Sequence, residues 1–157
     1  MRLWIDADSC PRAVRDIVCR AGKRLGIPVI FAANHPVAHS REFPVSMVVL
    51  PPEKDAADTY IAEHAQHGDL IVTRDIPLAK RLVDLNLAVL NDRGNLYTRE
   101  NIGERLSIRN FMLDLHSSGQ IPESTSKFGP QDVKRFADAF DRTLAKLQKN
   151  SAETAGT

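Results

Sequence analysis

The sequence predicts an α/β fold with a central, mainly parallel sheet of five strands. Short β-branched runs alternate with amphipathic stretches, and each run is almost continuously apolar, the pattern of a strand buried on both faces. The runs are LWID (3–6), PVIFA (28–32), MVVL (47–50), LIVT (70–73) and AVL (88–90). Right-handed crossovers readily give the strand order 3-2-1-4-5.

Between the first two runs lies a helix with Pro11 in its first turn. It carries Val14, Ile17, Val18 and Leu25 on one stripe and ends near Gly26. Residues 33–46, ANHPVAHSREFPVS, hold two prolines and no clear period, so a loop rather than a helix joins the second and third strands. A second helix is expected over 55–66, stopped at Gly68, and a third from Ile76–Pro77 with Leu78, Leu82 and Leu85 on its inner face. After the fifth strand come a helix over 99–116, the loop SSGQIPESTSKFGP, and a C-terminal helix over 131–149. That last helix keeps Val133, Phe136, Phe140, Leu144 and Leu147 in register. Residues 1–149 read as one domain, and the small polar tail 150–157 as disordered.

Composition narrows the function classes. The chain has 157 residues, 43% of them apolar, enough for one real core. Its formal charge of +1 gives no polyelectrolyte character, so any nucleic-acid contact must be local. Cys10 and Cys19 make no disulfide framework, no signal segment precedes the first strand, and no apolar run approaches the roughly 20 residues that cross a bilayer. A cytoplasmic protein without membrane contact is expected.

Three acidic stations stand out: Asp6 and Asp8 after the first strand, Asp55 and Asp58 opening the second helix, and Asp75 after the fourth strand. All fall at carboxyl ends of strands or in the turns beyond them, the edge where open α/β sheets bind ligands. With the order 3-2-1-4-5 the first and fourth strands flank the reversal, which brings Asp6 and Asp75 to one crevice. Ionised carboxylates are gathered only where something offsets their repulsion. A set of hard oxygen donors suits Mg²⁺ or Mn²⁺, and two such ions would activate water and stabilise the leaving oxygen in phosphodiester cleavage. Thr73 is placed to orient Asp75 or a metal-bound water.

DAD after the first strand, an acidic pair on the helix before the fourth, and VTRD after it look like the metal site of PIN-domain nucleases. More closely, WIDADSCP with GDLIVTRDIPLA and NDRGNLYTRENI resembles the bacterial YaiI/YqxD family, which is related to PIN domains. The resemblance spans roughly residues 2–140. It implies a PIN-like three-layer sandwich and a divalent-metal site at Asp6, Asp8, Asp58 and Asp75, and it implies no particular substrate. PIN nucleases often use Glu on the helix, where this chain offers Asp55 and Asp58. Asp58 is preferred as the ligand because the helix-start place of Asp55 also has a structural explanation.

Structural readings compete at each position. Asp8 or Ser9 would cap the helix that Pro11 begins, Asp55 would cap the second helix and Asp75 the third. Asp6 has no capping duty, and three helix starts all choosing Asp at the ligand edge favour a shared site. Ser9 beside the acids is a substrate-contact candidate, as is Arg93 in NDRGN, where Gly94 lets the backbone turn sharply on the same edge. Arg74, Lys80, Arg81, Arg99, Arg105 and Arg109 form either a basic rim for phosphates or solvated helix faces. Cys10 reads as a small buried filler, and His35, His39, His64 and His67 lack the cysteine partners of a zinc site.

The leading expectation is a metal-dependent nuclease acting on RNA. Two others stand beside it: a haloacid-dehalogenase-like phosphatase with Asp6 as nucleophile and Asp8 as its acid partner, which needs a downstream Lys, and a non-catalytic RNA-binding module.

Overall fold

The computed structural model describes residues 1–53, 55–119 and 127–155. Along the chain the elements are β1 (Leu3–Asp6), α1 (Arg12–Leu25), β2 (Val29–Ala33), β3 (Val45–Val49), α2 (Ala56–His64), β4 (Leu70–Val72), α3 (Ile76–Asp84), β5 (Ala88–Leu90), β6 (Leu96–Tyr97), α4 (Arg99–Ser117) and α5 (Pro130–Ala155). The fold is α/β, with a mainly parallel mixed sheet and five helices.

The sheet has six strands in the order β3-β2-β1-β4-β5-β6. The five expected strands keep their mutual arrangement, and the expected count and order are corrected by a sixth strand, β6, antiparallel to β5. Its cause is local. Asn91 Oδ1 accepts the backbone N–H groups of Arg93 and Asn95, and Gly94 adopts φ +85°, so the chain doubles back after β5. Two residues are too few to leave a periodic signal in the sequence.

Parallel register aligns Leu3, Val29 and Leu70 across β1, β2 and β4, and strict alternation divides the core. Leu3, Ile5, Val29, Phe31, Leu70, Val72 and Leu90 face α1 and α5, meeting Val14, Val18, Phe136, Phe140 and Leu144. Trp4, Ala32, Ile71 and Val89 face the other way, against Ile61 of α2, Leu78 and Leu82 of α3 and Ile102 of α4. Helices thus cover both faces, which is why the strands read as unbroken apolar runs.

The last two helices depart from expectation. α5 runs to Ala155, taking in most of the segment expected as a disordered tail. Between Gln131 and Ala155 the sequence holds neither glycine nor proline, so nothing local stops the helix. α4 starts from a reciprocal cap between Thr98 and Asn101 and buries Ile102, but Ile108, Phe111, Met112 and Leu113 in its second half are exposed. Half of the loop expected between these helices, residues 120–126, lies outside the described residues. No helix among the described residues is long and apolar enough to cross a membrane.

Candidate functional site

The strand order reverses between β1 and β4, and Asp6 ends β1 there. Only 5% exposed, Asp6 receives two hydroxyl hydrogen bonds at one carboxylate oxygen, Oδ2: Thr73 donates at 2.7 Å and Ser9 at 3.0 Å. Thr73 Oγ1 in turn accepts the backbone N–H of Asp75 at 3.0 Å. Thr73 therefore locks the end of β1 to the turn after β4 and sets the direction of Asp6, while positioning Asp75 through its backbone. The Asp75 carboxylate caps α3 through Oδ1, which accepts the N–H of Leu78 at 2.9 Å. Asp75 thus caps α3 and at the same time lines the edge that Asp6 ends.

Asp58 sits in the first turn of α2 and joins this group. Burial, the charges of Asp75, Asp6 and Asp55, and a hydrogen bond with Asp75 push its carboxyl up to about 7. Asp6 is raised too, chiefly by burial and then by Asp75 and Asp8, with the two hydroxyls pulling the other way. Asp55 occupies the N-cap place of α2, yet its side chain makes no capping bond and its backbone is left-handed at φ +65°. The cap that would have explained Asp55 structurally is absent. A non-glycine residue held in that conformation carries a modest steric penalty.

Asp8 is held from β2's end rather than from α1. Its Oδ2 accepts the N–H of Asn34 at 2.8 Å, and its Oδ1 lies 2.9 Å from His35 Nδ1. Register explains it: Asp6 pairs with Ala32, so two residues further along, Asp8 stands level with Asn34. Neither Asp8 nor Ser9 caps α1, whose N-cap is Pro11. Ser9 instead bridges Asp6 and the N–H of Arg74, which it accepts at 3.2 Å.

Two adjoining depressions meet at this edge. One, about 230 Å³, is lined by Asp6, Asp8, Ser9, Asn34, Asp55, Asp58 and Asp75. The other, about 370 Å³, shares Asp55, Asp58 and Asp75 and is closed by Arg81 of α3 and Arg109 of α4. Every acid singled out in the sequence is therefore brought to one place, Asp55 included. Among the described residues no three His, Cys, Asp or Glu side chains already stand close enough to grip one ion. Mutual repulsion works against tighter closure of like charges.

Arg93 goes elsewhere. It lies 3.8 Å from Asp132 at the start of α5 and over the ring of Phe128, and lines neither depression. Gly94 beside it serves packing as well as the turn, since a Cβ there would come within 2.5 Å of the Arg135 carbonyl oxygen. Cys10 is buried with its thiol directed at the Val72 carbonyl, and burial pushes it far above the ordinary thiol range. It is filler. Sequence reasoning passed over Asn34 and weighed His35 only against zinc, whereas both hold Asp8. It also passed over the pairing of buried Asp92 with Arg74 at 3.4 Å; the register of β1 with β2 signals the first, and nothing local signals the second.

Fold and site together define an α/β protein whose sheet reversal carries an acidic, partly buried crevice. A family model described as "Uncharacterized BCR, YaiI/YqxD family" matches residues 4–146, and the chain belongs to that family. A UPF0178 protein of Treponema pallidum is 54% identical over 147 residues, 94% of this chain and 83% of its own. The UPF0178 protein of Treponema denticola is 51% identical over 153 residues, covering 95% of each chain. That of Myxococcus xanthus is 47% identical over 149, covering 95% of this chain and 97% of its own. No solved structure matches.

Proposed function

We propose that this protein is a divalent-metal-dependent nuclease acting on RNA, built on a PIN-like three-layer sandwich, with Mg²⁺ or Mn²⁺ held by Asp6, Asp8, Asp58 and Asp75. One observation carries the reading: Asp6, Asp55, Asp58 and Asp75 share one crevice, and no Lys or Arg among the described residues lies within 4 Å of their carboxylates. A protein gains nothing for its own stability by such an arrangement, so an external cation is its natural complement. The donors are all hard oxygens, which suits Mg²⁺ or Mn²⁺ over zinc, and both ions keep several waters and so need few direct ligands.

A bound cation would supply a water of lowered pKa and a counter-charge for the phosphate. The chain's own residues do the rest. Thr73 and Ser9 hold Asp6 by one oxygen, so its other oxygen is oriented without side-chain freedom. Asp58 and Asp75 share a hydrogen bond, and a carboxyl near pH 7 in Asp58 can retain a proton until a cation displaces it. The phosphatase alternative lacks its lysine among the described residues: Lys80 is paired with Asp84 at 2.6 Å and lines neither depression.

The test is cleavage of mixed-sequence RNA and single-stranded DNA by purified protein with Mg²⁺, Mn²⁺ or EDTA, alongside Asp6→Asn. Metal-dependent cleavage that falls to the no-enzyme background in Asp6→Asn is expected. Absence of cleavage together with no Mn²⁺-induced rise in melting temperature defeats the reading.

A further inference from the structure

We infer that the larger depression is a phosphate subsite for single-stranded nucleic acid, with Arg81 and Arg109 holding the phosphodiester next to the one presented to the acidic crevice. The inference rests on the nuclease reading above and adds where the strand lies.

Arginines near the carboxyl edge of the sheet fall into two groups. Arg74 and Arg93 are engaged by the buried acids Asp92 and Asp132, at 3.4 and 3.8 Å. Arg81 and Arg109 are not. They line a depression of about 370 Å³ together with Asp55, Asp58 and Asp75, yet no carboxylate lies within 4 Å of either guanidinium among the described residues. Their hydrogen bonds are to neutral, exposed groups: Arg81 to the Thr59 hydroxyl at 3.4 Å and Arg109 to the Asn110 side-chain oxygen at 3.2 Å. Two cations kept beside three acids without neutralising them leave planar donor forks open to an outside anion.

The mixed chemistry of this lining selects the ligand. A free anion drawn to the arginines would also meet the carboxylates. A polymer bearing phosphates at regular intervals can place one on the arginines while another is shielded from the acids by a cation. The subsite volume, about 370 Å³, falls at the small end of the small-molecule range, so it takes one nucleotide-sized unit at a time. On α4, Met112 and Leu113 follow Arg109 by three and four residues on the same helical face, and both are exposed. They extend the subsite with an apolar surface on which an unstacked base can rest.

The experiment measures binding of fluorescent 12-mers of rU, of dT and of a duplex to the intact chain by anisotropy, across a salt series, with Ca²⁺ replacing Mg²⁺. Wild type should prefer single strands to duplex. Arg81→Gln and Arg109→Gln should each weaken single-strand binding about tenfold and lower the slope of log affinity against log salt by about 0.7, with Mn²⁺ affinity by calorimetry unchanged and Arg81→Lys restoring most of the slope. Wild-type affinity and slope in both Gln variants overturn the subsite while leaving the nuclease reading to its own cleavage test. Equal binding of duplex overturns the single-strand assignment, and a wild type that binds no oligonucleotide overturns the subsite outright.

Discussion

Two buried aspartates at opposite edges of the same sheet have opposite surroundings. Asp69, 3% exposed at the amino edge just before β4, accepts the backbone N–H of Arg2 at 2.9 Å, the Trp4 indole N–H at 3.0 Å and the Gln66 N–H at 2.9 Å, with the Arg2 guanidinium 3.3 Å away. Asp6, 5% exposed at the carboxyl edge, has two neutral hydroxyls at one oxygen and further carboxylates as its charged neighbours. Donors within the chain complete Asp69, whose work is to tie the N-terminus, β1 and the turn before β4 together. Asp6 has no such completion. Burial alone therefore does not distinguish the two acids, whereas the identity of their neighbours does.

The sharpest way to break this contrast is to remove each acid in turn. Asp69→Ala should destabilise the protein by about 3 kcal/mol, with or without divalent cation, because it strands a buried indole N–H, two backbone N–H groups and a guanidinium. Denaturant melts in EDTA and in Mn²⁺ measure it, and a loss confined to the Mn²⁺ condition would erase the distinction between the two edges. Asp75→Asn should do the reverse. Asn keeps the cap on Leu78 but removes a charge facing Asp58, so the metal-free variant should be more stable than wild type by about 1 kcal/mol. Its Mn²⁺-dependent gain, which follows RT ln(1 + [M]/Kd), should shrink. An EDTA midpoint below wild type would leave Asp75 as a cap alone.

Titration gives a smaller, graded effect. Asp58 is raised to about 7 and Asp6 is raised as well, so above the ordinary carboxylate range the folded state holds more protons than the unfolded chain. Stability in EDTA should accordingly be fullest near pH 4 and decline as pH rises through 7. Calorimetric scans between pH 4 and 8 should show the decline, and Asp58→Asn should flatten it. A wild-type midpoint that rises over that interval would contradict the crowding of these acids. Smallest of all is Arg93→Ala, which removes a partly exposed ion pair with Asp132 and should cost about 0.5 kcal/mol. Oligonucleotide affinity should not change. A measurable loss of affinity would return Arg93 to the substrate-contact role suggested by its place after β5.

By itself the sequence determined the alternation of strands and helices, the two-sided burial of the sheet and the placing of five acids at strand ends or helix starts, because these follow from local period and punctuation. It left β6 and the full reach of α5 unread: one is a two-residue strand made by a turn, and the other extends through a segment whose small polar composition resembled a tail. Tertiary structure alone decided the partners. Asp8 is held by Asn34 and His35 because β1 and β2 pair in one register, and Asp55 lines the crevice without capping the helix it precedes. Arg93 leaves the site for Asp132, while Arg81 and Arg109, 28 positions apart in the sequence, line one depression from α3 and α4. Residue type and spacing report what a chain can form locally, whereas which charges face one another depends on how distant elements pack.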